Sequence, residues 1–221
     1  MTQELWTAVD NYLVNNLVSP EESLDAAVRA SDDAGLPSIQ VSPPQGKFLY
    51  MLAKIQGAKR ILEIGTLGGY STIWMARALP DDGRLITMEI DPRHADVART
   101  NIDRADLSAK VEILVGNALD LLPELEVRNE SPFDLTFIDA DKASIPAYFE
   151  SALRMSRAGS LILVDNVVRE GAVIDENSED ASVKGVRRLN EMIAADPRVT
   201  ATVLQTVGIK GYDGLAIALV T

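Results

Sequence analysis

A chain of 221 residues, 47% of them hydrophobic, is long enough for one domain with a sizeable core. Its 33 acidic residues against 21 basic ones give a formal net charge of −12, which argues against nucleic acid as a general partner. The absence of cysteine excludes disulfides and thiolate zinc sites, and a single histidine, His94, leaves little from which to build an imidazole metal centre.

No apolar run reaches the roughly 20 residues of a membrane span. The start, Met1-Thr2-Gln3-Glu4-Leu5-Trp6, lacks the basic-then-apolar order of a secretory leader, which points to the cytoplasm. Residues 4–18 carry Leu5, Ala8, Val9, Tyr12, Leu13 and Leu17 at helical spacing. Ser19-Pro20-Glu21-Glu22 reads as the start of a second helix that ends at Gly35. Ser42-Pro43 starts a third, through about Ile55.

From Arg60 the pattern alternates. Strands are predicted at 60–65, 84–90, 111–115, 135–138 and 161–164, each followed by a helix: 71–79, 92–105, 118–125, 145–155 and 183–195. The last of these helices comes after a long loop whose acidic run, 175–180, reads as solvated. Strands at 199–206 and 215–220 close the chain, expected as an antiparallel hairpin. Continuous apolar strands in βαβ order make a seven-stranded, mainly parallel sheet with helices on both faces. The chain reads as one domain over 1–221, with N-terminal helices to residue 57 and a Rossmann-like core over 58–221. His94, early in its helix, is expected to be solvated. Lys184, Arg187 and Arg188 form a candidate anion contact.

The chain is organised around Arg60-Ile61-Leu62-Glu63-Ile64-Gly65-Thr66-Leu67-Gly68-Gly69-Tyr70-Ser71-Thr72. A buried strand feeds a helix through glycines, placing free backbone N–H groups at the mouth of the sheet. Ser71 or Thr72 is the expected helix cap. A dinucleotide fingerprint needs glycine at first, third and sixth positions, which here hold Gly65, Leu67 and Tyr70. Glu63, two positions before the first glycine, suits a cationic or hydroxyl-bearing ligand better than a pyrophosphate. The pattern resembles the first motif of S-adenosylmethionine (SAM)-dependent methyltransferases.

Ligands of such sheets bind beyond the carboxyl ends of the strands. The second strand ends in Glu89-Ile90-Asp91. Asp91 reads as the cap of the next helix, which leaves Glu89 to accept from ribose hydroxyls. Gly116-Asn117-Ala118 leaves room for a flat ring. The fourth and fifth strands end in Asp139-Ala140-Asp141-Lys142 and Asp165-Asn166. If these strands are neighbours, about 5 Å apart, Asp139, Asp165 and Asn166 converge. Two close carboxylates repel, so a proton or a cation must join them. An all-oxygen set suits Mg²⁺ or a similar hard divalent cation.

Taken together with Gln45-Gly46-Lys47-Phe48-Leu49 and Asp213-Gly214-Leu215, these motifs are similar to those of the cation-dependent O-methyltransferase family that includes catechol and caffeoyl-CoA O-methyltransferases. The resemblance runs from about Gln40 to the C-terminus. It implies SAM contacts at Val41, Glu63, Gly65, Leu67, Ser71, Glu89, Ile90, Ala118, Asp139 and Asp141. It implies metal ligation by Asp139, Asp165 and Asn166, with Mg²⁺ first and Ca²⁺ or Mn²⁺ as alternatives. Lys142 stands where the family places its general base, with Asp139 beside it. A small phenolic acceptor, a homodimer, and no nucleic-acid or membrane partner are also implied. Val168-Arg169-Glu170-Gly171 departs from the tryptophan-containing loop common after the Asp-Asn pair, and no aromatic gate is evident over 36–45, so the acceptor stays open. The competing readings are a SAM-binding protein without catalysis and an NAD(P)-dependent oxidoreductase, the latter opposed by the glycine spacing.

Overall fold

Side-chain parity along the strands decides the layers. Leu62 and Ile64 of β1 (Arg60–Ile64) pack with Ile86, Met88, Leu122, Phe149 and Val186 on one face of the sheet. Ile61 packs with Leu49, Ile73, Leu85, Phe137 and Leu163 on the other. Glu63 shares the parity of Ile61, so its carboxyl points into the helix layer rather than out of the sheet's end. The computed structural model describes residues 2–128 and 130–221; Met1 and Asn129, covered by the single-domain reading, lie outside them.

The remaining elements are α1 (Gln3–Leu17), α2 (Glu22–Asp33), α3 (Pro43–Gln56), α4 (Tyr70–Ala78), β2 (Arg84–Glu89), α5 (Pro92–Arg104), β3 (Val111–Val115) and α6 (Ala118–Val127). They continue with β4 (Phe133–Ile138), α7 (Ile145–Arg154), β5 (Ser156–Asp165), a 3₁₀ turn (Arg169–Ile174), α8 (Ala181–Ala195), β6 (Val199–Gly208) and β7 (Gly211–Val220). The sheet order is β3-β2-β1-β4-β5-β7-β6. Pairs among the first five strands are parallel, while β7 runs antiparallel to both β5 and β6. The expected seven-stranded, mainly parallel sheet is present, and β4 and β5 are neighbours.

Several boundaries differ from the sequence reading by a residue or two, and four of the differences are informative. Helix α2 starts at Glu22, after Pro20, with Glu21 at the N-cap and no side-chain cap. Strand β5 begins at Ser156 because polar Ser156, Arg157 and Ser160 are held by partners that periodicity does not reveal. Ser160 donates to the Phe133 carbonyl (2.7 Å), and Arg157 pairs with Asp134. Strand β4 starts at Phe133, two residues early, paired across to Ser156. The closing hairpin is longer, pairing from Val199–Val220 out to Gly208–Gly211.

Helix α1 forms as expected but buries none of its residues: Leu5, Val9, Tyr12 and Leu17 remain exposed. No helix among the described residues is long and apolar enough to cross a membrane.

Candidate active site

The carboxyl ends of β1 to β5 open into one cavity of about 1100 Å³. That exceeds the roughly 300–1000 Å³ of a pocket for one drug-sized ligand. Val41, Gly65, Leu67, Ser71, Glu89, Ile90, Ala118, Asp139, Asp141, Lys142, Asp165 and Asn166 all line it, so every residue expected at the donor, the metal or the proton transfer but one reaches the wall.

The exception is Glu63. It is 0% exposed, and its two carboxyl oxygens accept from the Ser71 Oγ (2.6 Å) and the Thr72 hydroxyl. Glu63 thus lies behind the wall, and Ser71, which donates to it, lines the cavity. The expected cap is corrected by the same contacts. Helix α4 begins at Tyr70 behind Gly69 in the left-handed region, and Ser71 and Thr72 turn inward to Glu63. Burial pushes the Glu63 carboxyl up to about 7 despite these donors. The native state thus binds this proton more tightly than the unfolded chain does. Its stabilising contribution is present below about pH 4.5 and is lost as pH rises to about 7, on the order of 3 kcal/mol for one such group. Thermal unfolding of ligand-free protein between pH 5 and 8 should show this decline, and Glu63→Gln should make it shallower; an equal slope in the variant would remove Glu63 as a source.

The glycine turn is held from below. The Thr66 and Leu67 N–H groups donate to Glu89 Oε2 (3.2 and 2.8 Å), and the Asp91 N–H donates to Oε1 (3.0 Å). Glu89 therefore both builds the turn and lines the cavity. Asp91 caps α5 through the Arg93 N–H (2.7 Å). His94 is not the solvated side chain expected: it is 23% exposed, with Nδ1 3.6 Å from Glu89 Oε1. Gly65 has φ +101°, and a Cβ there would lie 2.2 Å from the Asp139 carbonyl oxygen. That contact ties the turn to the next strand end. Gly65→Ala should cost about 3 kcal/mol or more in urea unfolding, through strain and backbone displacement together; a loss below 1 kcal/mol would contradict this close approach.

Asp139 and Asp165 end adjacent strands. Asp139 Oδ1 accepts from Lys142 Nζ at 2.7 Å, with the lysine side chain 10% exposed. Asp165 is 6% exposed and accepts from Gln45 Nε2 (2.7 Å) and the Asn166 N–H (2.9 Å). Burial first, and then Asp139, pushes the Asp165 carboxyl up to about 7. Asn166 takes a left-handed conformation, φ +59°. Among the described residues no three His, Cys, Asp or Glu side chains gather as a metal site. The expected set is two carboxylates and an amide, which such a grouping does not include. Asp141 lines the cavity, but its oxygens accept from the Ser144 N–H (2.9 Å) and the Tyr148 hydroxyl (2.5 Å). Burial opposes ionisation there, but these donors outweigh it and hold the carboxyl below the usual range.

Several contributors escaped the sequence reading. Gln45 reaches Asp165 across 120 residues. Gly185 of α8 lies where a Cβ would sit 2.1 Å from the Lys142 carbonyl, so that helix positions the Lys142 loop. Gln45 lay in a quoted motif without a role, and Gly185 gave only a small residue within a helix. The basic cluster is dispersed: Lys184 pairs with Glu179 (2.6 Å), Arg188 with Glu191 (3.0 Å), and Arg187 donates to the Val173 carbonyl (2.7 Å).

Comparison with known proteins identifies the family. Residues 16–219 match the family model described as O-methyltransferase. A catechol O-methyltransferase of Niastella koreensis is 54% identical over 220 residues, covering 100% of both chains. The solved O-methyltransferase from Bacillus cereus in complex with SAH is 55% identical, with a TM-score of 0.98 and 100% of both chains covered. TomG from Streptomyces achromogenes, involved in tomaymycin synthesis and solved with SAM, is 52% identical with a TM-score of 0.97, covering 100% of this chain and 99% of its own. The chain therefore belongs to the O-methyltransferase family, as an S-adenosylmethionine-dependent O-methyltransferase.

Proposed function

We propose that the protein transfers the SAM methyl to one hydroxyl of a catechol-type acceptor, with a divalent cation and with Lys142 as the base. The observation that carries this reading is the meeting of Asp139, Lys142 and Asp165 on one wall of the cavity that the glycine turn and Glu89 also line. A buried carboxyl facing a second carboxylate is the chemistry of a hard-cation site, and Asn166 adds an amide oxygen. Asp139, Asp165 and Asn166 would hold Mg²⁺, or Ca²⁺ or Mn²⁺ in its place. When bound, SAM supplies an activated sulfonium methyl, and the cation lowers the pKa of a chelated hydroxyl, which in a free phenol lies near 10.

The remaining work belongs to the chain. Glu89 accepts from the ribose hydroxyls. Val41, Gly65, Leu67, Ser71, Ile90, Ala118 and Asp141 surround the donor, and Glu63 fixes Ser71. Gln45 orients Asp165. Lys142 Nζ, once it has given up its own proton, takes that of the acceptor hydroxyl, and placement of the two reactants supplies much of the rate. The exposed apolar side of α1 supports a homodimer. The acceptor class is tested by comparing a vicinal diphenol with its monohydroxy analogue. The diphenol should be methylated at least about 100-fold faster, because only two adjacent oxygens chelate. Equal rates would contradict a chelated acceptor.

A further inference from the structure

The sheet order sets out the cavity in space. Most residues read as donor contacts sit at β3, β2 and β1, with Val41 before α3 and Asp139 and Asp141 after β4, and the carboxylate pair sits at β4 and β5. Beyond them lies β7, whose Leu215 pairs with Asp165. The β6–β7 hairpin does not stop at that level. It continues four residues further, to Gly211, about 13 Å past the strand end. Its tip carries Lys210 onto the cavity wall, where Nζ donates to the Ser38 carbonyl (3.0 Å) rather than to a carboxylate. The tip is fixed by α1: Asp10 Oδ2 accepts from the Ile209 N–H (2.7 Å), and Gln3 Nε2 donates to the Gly208 carbonyl (2.9 Å).

A second cation comes from the turn after β5. Arg169 lines the same cavity with φ +55°, a conformation unusual for a side chain of its size. Asp213 builds that turn by accepting at Oδ1 from the N–H groups of Val168, Arg169 and Gly214, each at 2.9 Å. Its other oxygen stands 3.8 Å from the Arg169 Nη1, too far for a hydrogen bond. Arg169 Nε is buried with no hydrogen-bond partner among the described residues. The acids near this end are Asp213, whose Oδ1 is occupied by the backbone, Glu170 on the exposed lip, the exposed Asp180, whose charge Arg169 favours, and Asp32 facing Lys210. In a chain of net charge −12, two cations at one end of a cavity with no carboxylate within hydrogen-bonding distance among the described residues need a reason.

We infer that Arg169 and Lys210 form an anion subsite for the tail of the acceptor, so that the acceptor is a catechol bearing a carboxylate. This rests on the catechol reading above. Arg169 meets the carboxylate within the cavity, and Lys210 meets a longer tail at the rim. Asp10 is a positioning residue that acts through the hairpin tip.

The test uses full-length protein with Mg²⁺ and SAM, and two pairs of acceptors: 3,4-dihydroxybenzoate and caffeate, each against its methyl ester. Wild type should favour each acid over its ester by about tenfold or more in kcat/KM, mainly through KM, as expected for a charge-assisted hydrogen bond. Arg169→Met should bring the benzoate ratio close to one, and Lys210→Met the caffeate ratio, while Lys210→Arg keeps its preference. Calorimetric binding of acid and ester in the presence of SAH should show the same ratios without turnover. Equal use of acid and ester by wild type would overturn the subsite and leave the catechol reading standing. Methylation of neither pair, or of no catechol at all, would instead strike the catechol reading. A Lys210→Met variant that loses SAH affinity with its acid-to-ester ratio intact would assign Lys210 to the donor and also overturn the proposal.

Discussion

Lys142→Ala should lower kcat by about 10²–10⁴-fold, the usual share of a positioned acid–base group, with SAM affinity changed by no more than a few fold. The lysine is nearly buried and sits 2.7 Å from Asp139, on a loop that α8 backs at Gly185. Two roles fit that position, a base and a fixed positive charge beside two carboxylates. Lys142→Arg separates them. Arginine restores the charge but does not give up its proton at any ordinary pH. If Lys142 is the base, the arginine variant is as slow as alanine. If it is only a counter-charge, arginine recovers most of the rate and the base assignment fails. Single-turnover measurement at saturating SAM keeps binding and chemistry apart.

Asp165→Asn should reduce cation-dependent methyl transfer by at least about 100-fold and abolish stabilisation by Mg²⁺; losses of 10- to 100-fold are usual for groups that merely support a metal ligand. In wild type, a cation that binds only the folded state raises the melting temperature. The variant should show no such rise. Without metal it should also melt higher than wild type. The substitution keeps the side-chain shape and one oxygen for the Asn166 N–H, the Gln45 amide can turn its own oxygen toward the new NH2, and one of two facing carboxylates is removed. Lower stability together with an unchanged response to Mg²⁺ would show that Asp165 is a structural hydrogen-bond acceptor and not a ligand.

The parts of the site that were legible in the sequence are those set by local patterns. The apolar run before Gly65 marks a strand end, and so do the runs before Asp139 and Asp165, so their convergence needed only the adjacency of β4 and β5. Glu89 was separable from Asp91 because a residue before proline is a ready cap. What was hidden depends on partners far along the chain or on the face a side chain takes. The position of Glu63 in its strand is clear from the sequence, where it reads as a cofactor contact. That its parity turns it under α4, toward Ser71 and Thr72, becomes visible only once the layers are known. His94 looked solvated because helix position does not reveal a neighbouring strand end. Strand β5 was cut short because its first residues are polar and are satisfied across β4. Gln45, Gly185 and Lys210 act through contacts 43 to 172 residues away, for which no spacing rule exists.

The metal-assisted reading is tested most directly by transfer of labelled methyl from SAM to catechol in three conditions: with Mg²⁺, with excess chelator, and with Mg²⁺ restored beyond the chelator. The expected result is transfer in the first, loss in the second and recovery in the third. Undiminished transfer in chelator would contradict it, and would leave Asp139, Asp165 and Asn166 as a hydrogen-bonded frame for Lys142 rather than a cation site.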